Sequence, residues 1–220
     1  MKPGNKPDRF TAKAHAEGYP ARSVYKLEEI DRRCNTLVRQ GMRVLDLGAA
    51  PGSWTRYVAN KVGPRGKVVA LDLNPLKVAT PPYVTRLELD IFKTPVGEMA
   101  ALGPFDLVLS DMAPHTSGMK EADAWRSVEL VERAAEIAEA ALVPGGAFVA
   151  KIFQGVGFEE IRNRLRLQYG TLRLLKPEAS RRESVEIFLV GLSKKGPVAS
   201  LPSAAPAVEA TAPGATKAPE

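Results

Sequence analysis

Short apolar runs alternate with stretches of helical periodicity along most of this chain. The runs are RVLDL (43–47), KVVALD (67–72), VTRLEL (84–89), DLVLS (106–110), AFVAKIF (147–153) and VEIFLVG (185–191). Helical patterns lie between them at 52–61, 123–142 and 158–169. Ahead of them, Val24, Leu27, Ile30 and Cys34 fall on one helix face, with Ser23 as the expected N-cap. Lys26 lies off that stripe and, taken alone, reads as a solvated helix lysine. Strands that are apolar almost throughout, separated by helices, predict a parallel sheet covered on both faces. Leu142 to Gly146, LVPGG, predicts a sharp helix stop before the fifth run.

Four of the strand ends carry an acid: Asp46, Asp72, Asp90 and Asp111. The first belongs to Val44–Trp54, VLDLGAAPGSW, an apolar strand breaking into a glycine-bearing loop and then a helix. Such a loop brings backbone N–H groups to the mouth of an α/β sheet, where nucleotide-like cofactors bind. Gly48 and Gly52 bracket the turn and let its amides approach a ligand. The dinucleotide fingerprint G-x-G-x-x-G is absent, which disfavours a nicotinamide cofactor. Asp72, some 20 residues after the loop, stands where an acid takes ribose hydroxyls. Asp90 is placed to accept from an adenine amine. Either acid can instead cap its own loop, and Trp54 on its own reads as core.

Composition narrows the choice further. With 220 residues, 45% of them hydrophobic, the chain can bury one substantial core. The net charge is +6 and the pI near 9.5, a balance that favours polyanionic partners. No apolar run approaches the roughly 20 residues of a membrane span, and MKPGNKPDRF is no secretory signal. One cysteine, Cys34, and the isolated His15 and His115 exclude a disulfide framework and metal-ligand spacing. A cytoplasmic, metal-free monomer is expected. Residues 1–196 read as one domain whose first 21 residues are basic and partly ordered. The Ala- and Pro-rich stretch 197–220 reads as a disordered tail.

DLGAAPGSW, SDMAP (110–114), VAKIFQG (149–155) and VEIF (185–188), with SVYKLEEI ahead of them, resemble the FtsJ/RlmE-type ribosomal RNA 2′-O-methyltransferases. The resemblance runs from about Asp8 to Lys194. It implies a Rossmann-like methyltransferase fold, a seven-stranded, mostly parallel sheet with one antiparallel strand, and S-adenosylmethionine as cofactor. It implies cofactor contacts from Gly48, Gly52, Trp54, Asp72, Asp90 and Asp111. It further implies a catalytic set of Lys26, Asp111, Lys151 and Glu186. His115 stands where many relatives carry Asn, and Phe188 where some carry Tyr.

That set suits the chemistry. A ribose 2′-hydroxyl is a weak nucleophile, so an enzyme must align it with the methyl donor and help it lose its proton. A free lysine is protonated at neutral pH, whereas a buried one beside a second cation is pushed toward neutrality, as Lys26 beside Lys151 would be. A lysine in an apolar strand, as Lys151 is, is costly without a partner. Glu186, between Val185 and Ile187, could equally be an exposed alternation position. Asp111-Met112-Ala113-Pro114 offers no aromatic to stack a base, which favours a sugar oxygen as acceptor.

For RNA, residues 1–26 supply Lys2, Lys6, Arg9, Lys13, Arg22 and Lys26, and 161–182 add Arg162, Arg164, Arg166, Arg173, Lys176, Arg181 and Arg182. A charge cluster of this kind is also what a solvated face looks like. Tyr19 and Tyr25 are the stacking candidates. The partner implied by resemblance is 23S rRNA in the large ribosomal subunit, at an A-loop uridine. tRNA, or a non-catalytic role in ribosome assembly, are the alternatives.

Overall fold

The computed structural model describes residues 9–180 and 184–196. Two helices, α1 (Arg9–Ala16) and α2 (Val24–Arg33), precede β1 (Arg43–Leu47). Then follow α3 (Ser53–Val62), β2 (Lys67–Asp72), β3 (Val84–Glu88), α4 (Val96–Ala101), β4 (Phe105–Ser110) and α5 (Lys120–Ala141). The chain continues through β5 (Leu142–Phe153), α6 (Phe158–Gln168), β6 (Tyr169–Leu175) and β7 (Glu186–Lys194). The seven strands form one sheet in the order β3-β2-β1-β4-β5-β7-β6. β1 to β5 are parallel, and β7 runs antiparallel to both β5 and β6.

Strand alternation divides the side chains between two cores. Val44, Val68, Ala70, Leu107, Leu109, Val149, Phe188 and Val190 face α2 and α3. Leu45, Leu47, Val69, Leu71, Val108, Phe148, Ala150 and Leu189 face α4, α5 and α6. By that parity Asp46, Lys151 and Glu186 all project toward α2 and α3. Chain order reverses between β1 and β4, so the crevice above their carboxyl ends is the topological switch point where ligands bind in such sheets.

The sheet, the α5 stop and the central helices match the sequence expectation; three elements were not foreseen. Helix α1 lies in the segment expected to be only partly ordered, and it is docked: Ala14 is buried, and the Phe10 ring lies 5.8 Å from that of Tyr25. The short α4 carries a single buried residue, Met99, too few to show periodicity. Strand β6 is an edge strand with mostly exposed side chains, so its alternation is masked within a basic segment. Ser23 precedes α2 but makes no side-chain cap; its carbonyl instead accepts the Trp54 indole N–H at 2.8 Å. The proposed tail, 197–220, lies outside the described residues.

Candidate active site

The loop after β1 turns through two left-handed glycines. At Gly48 (φ +73°) an added Cβ would stand 2.4 Å from Met112 Cγ, and at Gly52 (φ +111°) 2.4 Å from Val78 Cγ2. Glycine is therefore required by the packing of the chain on itself as much as by a ligand. Beside the loop lies a cavity of about 310 Å³ at the ends of β1, β2, β3 and β4. Gly48, Asp72, Asp90 and Asp111 border it, with Leu71, Leu89, Phe92 and Leu130 among its apolar walls. Phe92 and Leu89 are partly open to solvent there, at 56% and 37%.

Both outer acids do cap their loops, and they line the cavity as well. Asp72 Oδ2 accepts from Ala50 N at 2.9 Å and Oδ1 from Asn74 N at 2.8 Å, which ties the β1 and β2 loops together. Asp90 Oδ1 accepts from Phe92 N at 2.9 Å. Asp72 Oδ1 also accepts from Asn74 Nδ2 at 3.2 Å, so Asp72 Oδ2 and Asp90 Oδ1 are the ones among these oxygens that keep a further lone pair for a ligand. Three carboxylates around an apolar slot fit a nucleoside carrying ammonium and sulfonium charge, as S-adenosylmethionine does. Trp54 is not part of that wall. It is 2% exposed, and its ring sits 5.8 Å from Phe188 in the core between α3 and the sheet. Gly52, the N-cap of α3, does not line the cavity either; it ends the loop against Val78.

The other four candidates meet one step along the same edge. Lys151 on β5 pairs across the ladder with Phe188 on β7, and Phe153 with Glu186, so Lys151 and Glu186 are diagonal neighbours on one face. Lys151 Nζ donates to the Asp111 carbonyl at 2.6 Å and lies 3.0 Å from Asp111 Oδ1. That carboxylate oxygen accepts no aligned hydrogen bond, so its hold on the ammonium is chiefly one of charge. Lys26 Nζ reaches Glu186 Oε1 at 2.5 Å and lies 5.9 Å from the centre of the Phe188 ring. Both lysines are only 8% exposed. Lys26 is thus not a solvated helix lysine. Besides its predicted stripe, α2 buries Tyr25, Lys26 and Asp31: Tyr25 meets Phe10 of α1, Lys26 meets Glu186 and Phe188 of β7, and Asp31 accepts from the Tyr57 hydroxyl of α3.

The electrostatics follow from these pairs. Burial alone would raise the Glu186 carboxyl. The Lys26 charge and N–H, the Ser180 hydroxyl and the Lys151 charge outweigh it and hold the group below the usual carboxylate range. Each of the two ammonium groups has a carboxylate beside it, Lys151 that of Asp111 and Lys26 that of Glu186. A second shifted group, Asp46, is one that sequence reasoning placed at the sheet mouth but gave no role. Asp46 is fully buried, its Oδ2 accepting from Thr55 Oγ1 at 2.6 Å while Oδ1 has no partner. Desolvation, which outweighs the Thr55 bond and is reinforced by the charges of Asp111 and Asp72, pushes it up to about 7.

The RNA candidates separate into groups. Arg162 is paired with Glu159 at 2.8 Å and Arg164 with Glu132 at 4.0 Å, as on a solvated face. Arg173 donates to the Arg33 carbonyl at 3.0 Å and Lys176 to the Ser184 carbonyl at 2.9 Å. Tyr25 is buried, its hydroxyl donating to Glu17 at 2.8 Å, so it offers no stacking face. Tyr19 is only half-buried and carries the Arg56 guanidinium 5.3 Å above its ring. Lys2, Lys6, Arg181 and Arg182 lie outside the described residues.

Known proteins resemble this chain in both sequence and fold. It is 53% identical over 193 residues to the ribosomal RNA large subunit methyltransferase E of Sorangium cellulosum, covering 88% of this chain and 91% of that one. It is 47% identical over 192 residues to the protein of the same name from Nitratidesulfovibrio vulgaris, covering 86% and 95%. Among solved structures, a ribosomal RNA methyltransferase from Plasmodium falciparum superposes with a TM-score of 0.69 at 24% identity, covering 81% of this chain and all of that one. Aeropyrum pernix fibrillarin with bound S-adenosyl-L-methionine matches at 0.50 and 18%, covering 70% and 68%. These two likenesses establish the shared fold. The FtsJ-like methyltransferase pattern matches residues 19–194. S-adenosylmethionine is the cofactor of this fold, and by that match over most of its length the chain belongs to the FtsJ-like methyltransferase family.

Proposed function

We propose that the protein methylates the 2′-oxygen of a ribose in ribosomal RNA, at an A-loop uridine of 23S rRNA within the large subunit. The observation that carries this reading is the meeting of two buried lysine–carboxylate pairs, Lys151–Asp111 and Lys26–Glu186, beside the three-acid cavity. Two curated relatives matched over more than nine-tenths of their own length bear the name ribosomal RNA large subunit methyltransferase E. The strand end after β4 carries no aromatic to hold a base flat, as base-amine acceptors need.

Asp72 and Asp90 are the groups that would hold the cofactor's ribose and adenine, and Asp111 faces the reacting end. When bound, S-adenosylmethionine supplies a methyl group already activated by its sulfonium. The protein's part is to bring the oxygen into line and keep water out. Lys151 Nζ has two contacts to Asp111 and one N–H left over, which in this reading points at the ribose oxygen and turns a lone pair toward the methyl group, while the hydroxyl proton passes to the Asp111 carboxylate, whose Oδ1 accepts no hydrogen bond. Asp111 fixes that ammonium. Glu186 and Lys26 close the other side, where the ribose edge would rest.

The test is methyl transfer to large subunits from cells lacking the endogenous enzyme, with the modified ribose mapped by primer extension. Modification at one A-loop uridine supports the proposal. Methylation of tRNA in preference to subunits, or none at all, would overturn it.

A further inference from the structure

A second cavity lies apart from the cofactor slot. It is an open groove of about 570 Å³ between the α1–α2 turn, the middle of α3 and the β2–β3 loop. His15, Arg56 and Lys77 line it together with Asn60, Thr80 and the ring of Tyr19, and no acid does. Glu17, next to it in sequence, is turned away: its carboxylate takes the Tyr25 hydroxyl and sits 3.7 Å from Lys13. Arg56 lies over the Tyr19 ring and donates to the Gly18 carbonyl, so a planar cation and an aromatic face are already stacked at the rim.

The groove is also joined rigidly to the catalytic edge. Ala21 N donates to Ser53 Oγ at 2.9 Å, and the same hydroxyl donates to the Ala21 carbonyl at 3.1 Å. That clamp and the Trp54–Ser23 bond fix the short link from Tyr19 into α2, which carries Lys26. On the far side, Lys77 N donates to the Pro51 carbonyl at 3.0 Å, and Val78 packs on Gly52. Lys77 and Val78, which line the groove, are thereby joined to the cofactor loop.

We infer that this groove is a second RNA subsite, holding a nucleotide that flanks the target, with its base against Tyr19–Arg56 and its phosphate near Lys77 and His15. The chemistry is that of single-strand recognition: a stacking face sets the base, and cations without competing carboxylates take the backbone. Asn60 and Thr80 are the groups within the groove able to meet base or sugar edges. The inference rests on the RNA reading above.

The test measures both binding and methylation of large subunits from the enzyme-deficient strain, for wild type, Lys77→Glu, Tyr19→Leu and Arg65→Glu. Lys77 is exposed, so its variant leaves the fold intact, and Arg65, exposed on the α3–β2 turn, is the charge-matched control. Tyr19→Leu keeps the apolar contact to the core and removes the stacking face. The expected result is a subunit KM raised about tenfold by Tyr19→Leu, and about fivefold by Lys77→Glu with a salt slope shallower by about one. Cofactor affinity should not change, and Arg65→Glu should match wild type. Equal subunit KM values across the set, in an active enzyme, would overturn the subsite while leaving the proposed function standing. Subunit binding weakened by the groove variants, in an enzyme that transfers no methyl group, would do the reverse. A photoreactive phenylalanine at position 19 that crosslinks to a ribosomal protein and not to RNA would also overturn the subsite.

Discussion

The catalytic edge of the sheet has two halves built on different principles. Over β1, β2 and β3, the acids Asp72 and Asp90 are held by backbone N–H groups of their own or adjacent loops, around an open slot. Over β4, β5 and β7, Asp111, Lys151, Glu186 and Lys26 are held by one another, almost wholly buried, and come from four distant segments. The first half is a socket whose parts stand without each other. The second is a network in which removing one member strands another charge in a dry place.

The widest gap between the halves is expected from Lys151→Ala. It should lower kcat by about a hundredfold, the scale of a lost alignment of the reacting atoms, while equilibrium cofactor binding stays near wild type. A matching loss of cofactor affinity would merge the two halves. Next comes stability. Glu186→Ala leaves Lys26 buried without its counter-ion and should cost about 3 kcal/mol in chemical denaturation. The double replacement Lys26→Met with Glu186→Leu should recover most of it. A single-variant cost below about 1 kcal/mol would mark the pair as a surface-like one.

Asp46 lies beneath both halves, and its raised value sets a sign. Between its ordinary value near 3.8 and about 7 the folded state keeps a proton that the unfolded chain has lost, so its burial destabilises the fold progressively as pH rises through that window. Asp46→Asn should therefore gain in Tm over wild type by several degrees between pH 4 and 7, and the gain should level off above. A difference that does not vary with pH would show the carboxyl to be ionised throughout. The smallest effect is expected in the socket. Asp72→Ala should weaken cofactor binding about tenfold, with kcat at saturating cofactor little changed. A collapse of kcat there would show that the socket also orders the network.

The same division explains what the sequence disclosed. β1 to β5, the loop from Gly48 to Gly52 and the strand-end acids follow from local pattern, because an apolar strand and the turn that ends it lie within one short window. The catalytic set was identified only through matching motifs. Nothing local distinguishes Lys26 from a solvated helix lysine, since its burial depends on Glu186 and Phe188 of the distant strand β7. Glu186 reads equally well as exposed until β7 is placed beside β5. Strand β6 was missed because its apolar residues do not follow its buried face, Leu174 being exposed, and because Arg173 sets it within a basic segment. Trp54 and Tyr25, both aromatic and near the motifs, are core residues, and their burial depends on contacts 31 residues away in one case and with α1 in the other. The Arg56–Tyr19 groove had no sequence signal beyond the tyrosine, because its walls come from three separated segments.

One experiment addresses the acceptor network itself: nucleoside analysis by mass spectrometry of large-subunit RNA after methyl transfer from isotopically labelled S-adenosylmethionine, for wild type and Lys151→Ala. Label should appear as 2′-O-methyluridine with the wild-type enzyme and vanish with the variant, although the variant still binds the cofactor. Label on a base, or undiminished ribose methylation by Lys151→Ala, would contradict the assignment of this buried four-residue network to ribose methylation.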